Sequence, residues 1–301
     1  MATAIPSWWI LCPVCGMIMT VKIEIEAPAK INLYLRVLGR RPDGYHDIDT
    51  LITRISLADT VTIEQRPGGI SVDCPGFPEL SGKANLAYRA AELYLAASGA
   101  DMGLNILIRK EIPIASGLGG GSSDAASVLL GLDRLAHGGL GSERLHRLAC
   151  EIGADVPFFL RRGPCRARGI GHELEPAGPL PVFWVILACA PFGLSAREIY
   201  ESLKFPLTSK WPDDRNTSLV RGVALRELAS RLHNDLQAVG ERTRPVIRRV
   251  CGEMLRAGAV GALMSGSGPA VFGLSVSEEE ACDVREKIKK ERDWRYLVAK
   301  G

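Results

Sequence analysis

The sequence predicts an α+β protein of two domains, and three observations carry the prediction. Its 301 residues exceed what a single compact core usually serves and suffice for two. Strand-like alternation recurs early: Val21, Ile23 and Ile25 alternate with Lys22, Glu24 and Glu26. A glycine-rich stretch, IPIASGLGGGSSDAASVLLGLDRL from Ile112 to Leu135, then passes into apolar residues at helical spacing through Ala125, Val128, Leu129 and Leu132.

Composition narrows the class. With 47% hydrophobic and 24% charged residues the chain reads as an ordinary soluble globular protein, and nothing in its composition suggests disorder. A formal charge of +3 is too small to argue for nucleic acid or an anionic membrane, while a small anionic molecule fits. The eight cysteines form no compact framework, so reduced thiols in a cytoplasmic setting are expected. Ser7 to Met19 is an uncharged apolar run, shorter than a membrane span and without the basic flank of a secretory signal. Residues 1–19 are therefore read as a dispensable tail or a mis-assigned start. Cys12 and Cys15 lack a second Cys/His pair at zinc-site spacing, which argues against a metal there.

The organised chain begins at Val21 with a strand that Ala27-Pro28 punctuates. A second strand follows over Ala29–Leu35, with Lys30, Asn32 and Tyr34 on one face. Lys30 reads either as a solvated edge charge or as a fixed cation in a cleft. Gly39 to His46, GRRPDGYH, is a turn cluster. Leu51–Ile55 and Asp59–Glu64 read as strands, Arg66–Gly82 as a loop, Asn85–Ala97 as an amphipathic helix and Leu104–Arg109 as a strand. In the second half, Val182–Cys189 is a central strand, Arg244–Leu255 a helix with a solvated basic side, and Ala259–Met264 and Ala270–Leu274 strands around an SGSG turn.

The glycine loop carries the first functional argument. Gly117, Gly119, Gly120 and Gly121 allow close approach and positive φ, and Ser122 and Ser123 are expected to cap the helix. Free N–H groups at the positive end of a helix dipole attract anions, phosphate most commonly. The loop has neither the lysine of a Walker loop nor the spacing of a dinucleotide fingerprint. The plain alternative is a flexible Gly/Ser turn before a buried helix.

Four segments decide between these readings: PAKINL from Pro28, GRRPDGYH from Gly39, GLGGGSS from Gly117 and GADVPFF from Gly153. Together with MSGSGP from Met264 they resemble the GHMP kinase superfamily over nearly everything after about residue 20. The PDGYH and GADVPFF segments are similar to the branch that acts on cytidylylated methylerythritol. The resemblance implies a ribosomal-protein-S5-like N-terminal domain over 20–180, an α/β-sandwich C-terminal domain over 181–301, and an active site between them. It implies a cytoplasmic, ATP-dependent kinase that phosphorylates the 2-hydroxyl of 4-diphosphocytidyl-2-C-methyl-D-erythritol in the non-mevalonate isoprenoid pathway.

Phosphoryl transfer to an alcohol needs a held triphosphate, an aligned hydroxyl, a proton acceptor and charge balance. By resemblance Lys30 and Asp155 are the catalytic pair; the carboxylate of Asp155 reads alternatively as a helix cap. ATP is assigned to Pro113, Ile114, Ala115, Ser116, Gly117, Leu118, Gly119, Gly120, Gly121, Ser122 and Ser123, with Asn85 and Leu86 near the adenine. Substrate is assigned to Asn32, Tyr45, His46, Tyr200, Ser265, Gly266, Ser267 and Gly268, with Tyr45 and Tyr200 expected to face each other across the cytosine and His46 to bond its edge. Mg²⁺ should accompany ATP, with Ser123 and Asp155 as candidate ligands. A monomer or weak homodimer is expected, with no nucleic-acid or membrane partner. His172, Gln237 and Ala115-Ser116 depart from the superfamily pattern. The alternatives are a kinase for another alcohol, such as homoserine or mevalonate, and a non-catalytic nucleotide-binding regulator.

Overall fold

A computed structural model describes residues 10–11, 18–19, 21–136, 139–204 and 224–301. Cys12 and Cys15 lie outside the described residues, as does most of the N-terminal segment. Two short strands, β1 (Ile10–Leu11) and β2 (Ile18–Met19), pair antiparallel there.

The first sheet is built on two long antiparallel strands, β3 (Lys22–Arg40) and β4 (His46–Arg66). The four short strands expected from the sequence are therefore two continuous ones. Pro28 does not end β3, because it falls at a register shift between Pro28 and Lys30, where a bulge absorbs its missing N–H. Further shifts lie between Asn32 and Tyr34 and between Val37 and Gly39.

Between 66 and 82 the predicted loop contains β5 (Ile70–Asp73) and a single 3-10 turn, Pro78–Leu80. Helix α1 (Leu86–Ser98) starts where Asn85 caps it, its Oδ1 accepting from the Ala87 N–H at 2.8 Å. Strand β6 (Gly103–Arg109) leads through the glycine loop to α2 (Gly120–Leu135), followed by α3 (Gly141–Ile152), the single-turn α4 (Val156–Phe159), and strands β7 (Cys165–Gly169) and β8 (Glu173–Pro176). Ile63, Ile106 and Ile108 pack with Ala90, Ala125 and Leu129 to close the core between the first sheet and the α1–α2 layer.

The second sheet is antiparallel, in the order β11 (Gly261–Met264), β12 (Val271–Ser275), β9 (Trp184–Cys189), β13 (Arg295–Lys300). The apolar run ending at Cys189 is interior to this sheet, as its composition predicted. Helices α5 (Ala196–Glu201), α6 (Leu225–Ser230), α7 (Gln237–Thr243), α8 (Val246–Ala257) and α9 (Glu278–Lys287) complete the chain. Ile247, Val250 and Met254 of α8 join Ala281 and Val284 of α9 in covering one face. The other face shares an apolar layer with the first sheet, in which Ile31 and Leu33 of β3 meet Leu187 and Phe272. A two-residue strand, β10 (His233–Asn234), crosses to pair in parallel with β3. Thus Lys30 and Asn32, on the same stretch of β3, are held between two packed units.

Candidate active site

Lys30 is buried on β3 and its backbone N–H donates to the Leu118 carbonyl at 2.9 Å, fixing the strand to the glycine loop. Its Nζ donates to Asn32 Oδ1 at 2.7 Å and stands 3.8 Å from Asp155 Oδ2. Asp155 occupies the N-cap position of α4 but makes no capping hydrogen bond, and its side chain is 45% exposed. The carboxylate is thus not used as a cap. Arg54 of β4 steadies the segment that follows it by donating from Nη2 to the carbonyls of Phe159 and Arg161.

Two cavities meet at this pair. One, of about 700 Å³, is lined by Asn32, Tyr45, His46, Thr50, Tyr200 and Gly266. The other, of about 450 Å³, is walled by the loop from Pro113 to Gly121, with Asn85 and Leu86 opposite. Lys30, Ser122, Asp155 and Ser267 line both. A ligand in either cavity therefore reaches the lysine–carboxylate pair.

The loop's shape depends on glycine at two points. At Gly117, φ is +83° and a β-carbon would lie 2.6 Å from the Ser265 carbonyl oxygen; at Gly119, φ is +75° and it would lie 3.0 Å from Lys30 Cγ. The SGSG turn of the second unit docks onto the loop here. The Ala270 N–H donates to the Ser116 carbonyl at 3.0 Å, and Ser265 Oγ to the Gly117 carbonyl at 3.5 Å.

The family model for the GHMP kinases N terminal domain matches residues 85–163, and that for the GHMP kinases C terminal matches 219–292. A 4-diphosphocytidyl-2-C-methyl-D-erythritol kinase of Geobacter metallireducens is 44% identical over 280 residues, covering 92% of this chain and 97% of that protein. The chain belongs to the 4-diphosphocytidyl-2-C-methyl-D-erythritol kinase family of GHMP kinases. A relative of the same name from Syntrophus aciditrophicus is 40% identical over 93% of this chain and 99% of its own length. A crystal structure of 4-(cytidine 5'-diphospho)-2C-methyl-D-erythritol kinase superposes with a TM-score of 0.79 at 37% identity, covering 92% of this chain and 98% of that one. Homoserine kinase from Cytophaga hutchinsonii, at TM-score 0.70 and 20% identity, shares the fold.

Within this GHMP kinase several expected positions need correction. Ser122 and Ser123 do not cap α2: the helix begins at Gly120 with Gly119 as N-cap, so both serines lie inside its first turn. Ser123 Oγ is buried and has no hydrogen-bond partner among the described residues. Tyr200 does not face Tyr45 but stacks on His46, with ring centroids 5.3 Å apart and planes 28° from parallel. His46 opens β4 and turns inward, whereas Tyr45 ends the turn, 62% exposed at the cavity rim, its N–H donating to Asp43 Oδ1. Burial and then Arg40 hold the His46 imidazole below its ordinary pKa, while burial and then the Asp155 charge push the Tyr200 hydroxyl up. Ser265 and Gly268 shape the SGSG turn, and Gly266 and Ser267 reach the cavity.

Sequence reasoning missed a buried ionic cluster beneath the loop. Lys110 Nζ donates to Asp59 Oδ2 and, at 2.7 Å, to Asp124 Oδ2, while Asp59 Oδ1 accepts the Glu111 and Ile112 N–H groups at 2.6 and 2.8 Å. Asp59 lay in an alternating strand pattern where a carboxylate reads as solvated, and no local signal distinguishes it. Asn234 was also missed as an anchor: its Nδ2 donates to the carbonyls of Met264 and Gly266 at 2.8 and 2.7 Å. Gln237 gains a rationale, since its Oε1 accepts from the Met264 N–H and its Nε2 donates to Glu241, a bond that a glutamate there could not make.

Proposed function

We propose that this protein transfers the γ-phosphoryl group of ATP to the 2-hydroxyl of 4-diphosphocytidyl-2-C-methyl-D-erythritol, with Asp155 as base and Lys30 as the cation at the transfer point. The observation that carries the reading is the single Lys30–Asp155 pair shared by a glycine-walled cavity and an aromatic-lined one. The names of the relatives support the same substrate.

Triphosphate lies along the loop, where backbone N–H groups and the N-terminus of α2 balance its charge. The alcohol lies on the Asn32 side, its cytosine against His46 and Tyr200 and its hydroxyl toward Asp155. The new bond forms between the alcohol oxygen and Pγ as the bond from Pγ to the β-bridging oxygen breaks. Asp155 takes the hydroxyl proton, ADP leaves, and Lys30 offsets charge on the transferring group. Mg²⁺ arriving with ATP would neutralise phosphate charge; of the two candidate ligands the half-exposed Asp155 carboxylate, which lines both cavities, fits a cation that keeps most of its ligands as water and phosphate, whereas Ser123 is buried and lines neither cavity. The protein would act as a cytoplasmic monomer or weak homodimer whose units 20–180 and 181–301 flank the site. No helix among the described residues is long and apolar enough to cross a membrane.

A kinase for homoserine or mevalonate is the second reading, and the aromatic lining speaks against it: a small aliphatic alcohol offers no ring to contact Tyr45 or the stacked His46–Tyr200 pair. The test is ADP release with Mg-ATP and, separately, the cytidylylated methylerythritol, methylerythritol phosphate, homoserine and mevalonate. Turnover confined to the cytidylylated alcohol is expected. Preference for another alcohol overturns the substrate assignment, and ATP binding without turnover of any favours a regulator.

A further inference from the structure

The pair at the transfer point is backed by a run of hydrogen bonds entering β4. Lys30 Nζ donates to Asn32 Oδ1 at 2.7 Å, Asn32 Nδ2 donates to Thr50 Oγ1 at 2.9 Å, and Thr50 Oγ1 donates to the Tyr34 carbonyl at 2.5 Å. All three side chains are buried: Lys30 is 5%, Asn32 4% and Thr50 2% exposed. The register shift between Asn32 and Tyr34 sets the Tyr34 carbonyl within reach of the Thr50 hydroxyl.

Donor and acceptor capacities allow this chain one direction. An ammonium only donates, so Asn32 must turn its oxygen to Lys30 and its NH₂ to Thr50. The Thr50 hydroxyl has one proton, and the Tyr34 carbonyl, which only accepts, takes it. Toward Asn32 the hydroxyl is then an acceptor. We infer that Thr50 is a positioning residue for phosphoryl transfer: its hydroxyl fixes the Asn32 amide so that Asn32 Oδ1 holds the Lys30 ammonium beside Asp155. The inference rests on the kinase reading above and deepens it.

Without the hydroxyl, Asn32 Nδ2 loses its buried acceptor and the amide is free to flip its NH₂ toward the ammonium. Lys30 is then no longer held at one point between the cavities. Misplacement of a catalytic cation lowers the transfer rate more than it lowers affinity for either ligand.

The test uses the full chain carrying Thr50→Val, which keeps the shape and removes the hydroxyl, and Thr50→Ser, which keeps the hydroxyl and removes the methyl. The expected result is a kcat reduced about ten-fold or more in Thr50→Val, with KM for both ligands within about two-fold, and most of kcat regained in Thr50→Ser. In an Asn32→Ala background Thr50→Val should change kcat less than about two-fold, because the relay is already cut. A readout independent of turnover is the Asn32 side-chain NH₂ by NMR, whose exchange with solvent should accelerate in Thr50→Val and not in Thr50→Ser. Equal kcat in Thr50→Val and wild type, a larger loss in Thr50→Ser than in Thr50→Val, or unchanged Asn32 amide exchange overturns the inference. Absence of turnover in the wild type overturns the kinase reading instead, and the amide readout still decides the bonding.

Discussion

Replacing Gly117 by alanine tests the join between the two units at the glycine-walled cavity. A β-carbon at this position meets only backbone: Ser265 O at 2.6 Å, Gly268 O at 3.0 Å and Gly268 N at 3.1 Å. No side chain can swing aside, so the SGSG turn must retreat from the loop. The φ of +83° adds left-handed strain of about 1–2 kcal/mol, and overpacking against a fixed neighbour adds about 1–3 kcal/mol. The sum, about 2–5 kcal/mol, is a large fraction of an ordinary domain's stability. Retreat of the turn also moves Gly266 and Ser267, so affinity for both ligands should fall. Gly121→Ala is the control for stability: its nearest atom would be Leu86 Cδ1 at 4.0 Å and its φ is ordinary, so alanine should add up to about 1 kcal/mol by stiffening the first turn of α2. Urea unfolding of the two variants, with ATP binding of Gly117→Ala by calorimetry, is the assay. A Gly117→Ala protein with wild-type stability and wild-type ATP affinity would refute the docking argument.

Three further outcomes follow from the geometry. Asn234→Ala strands the carbonyls of Met264 and Gly266 and the Leu236 N–H, and should lower stability by about 2–4 kcal/mol in urea melts and raise KM for the alcohol. Tyr200→Ala removes the ring stacked on His46 and should raise KM for the cytidylylated alcohol by about 5- to 150-fold, leaving KM for Mg-ATP unchanged in steady-state assays. Burial pushes the Asp124 carboxyl up to about 7, against the opposing pull of Lys110. A carboxyl with a raised native pKa keeps its proton where the unfolded chain has lost it, so its contribution to stability, full below about pH 4, is lost as pH rises through about 7. Urea midpoints at about pH 5 and about pH 8, without nucleotide, should therefore drop less in Asp124→Asn than in wild type.

The loop, the PDGYH turn and the SGSG turn were legible because each is a local chain event, a run of glycines or a polar turn between apolar runs. The α1 start at Asn85 and the interior position of β9 were legible for the same reason. What sequence could not show is register. Pro28 reads as a break, yet a bulge carries the strand through it, and only the pairing with β4 reveals that. The same pairing brings Thr50 beside Asn32 and turns His46 rather than Tyr45 onto Tyr200. Asp59, Lys110 and Asp124 lie far apart in the chain and look solvated singly; they become a buried cluster only when β4, the end of β6 and α2 converge.

In the proposed mechanism Asp155 takes the proton at a junction Lys30 has already fixed. Single-turnover chemistry in Asp155→Asn, with Mg-ATP and the cytidylylated alcohol both saturating, tests it most directly. Binding of both ligands should stay close to wild type while the transfer rate falls about 10²- to 10⁴-fold. A transfer rate within ten-fold of wild type, with binding intact, would contradict it and assign the proton to another acceptor.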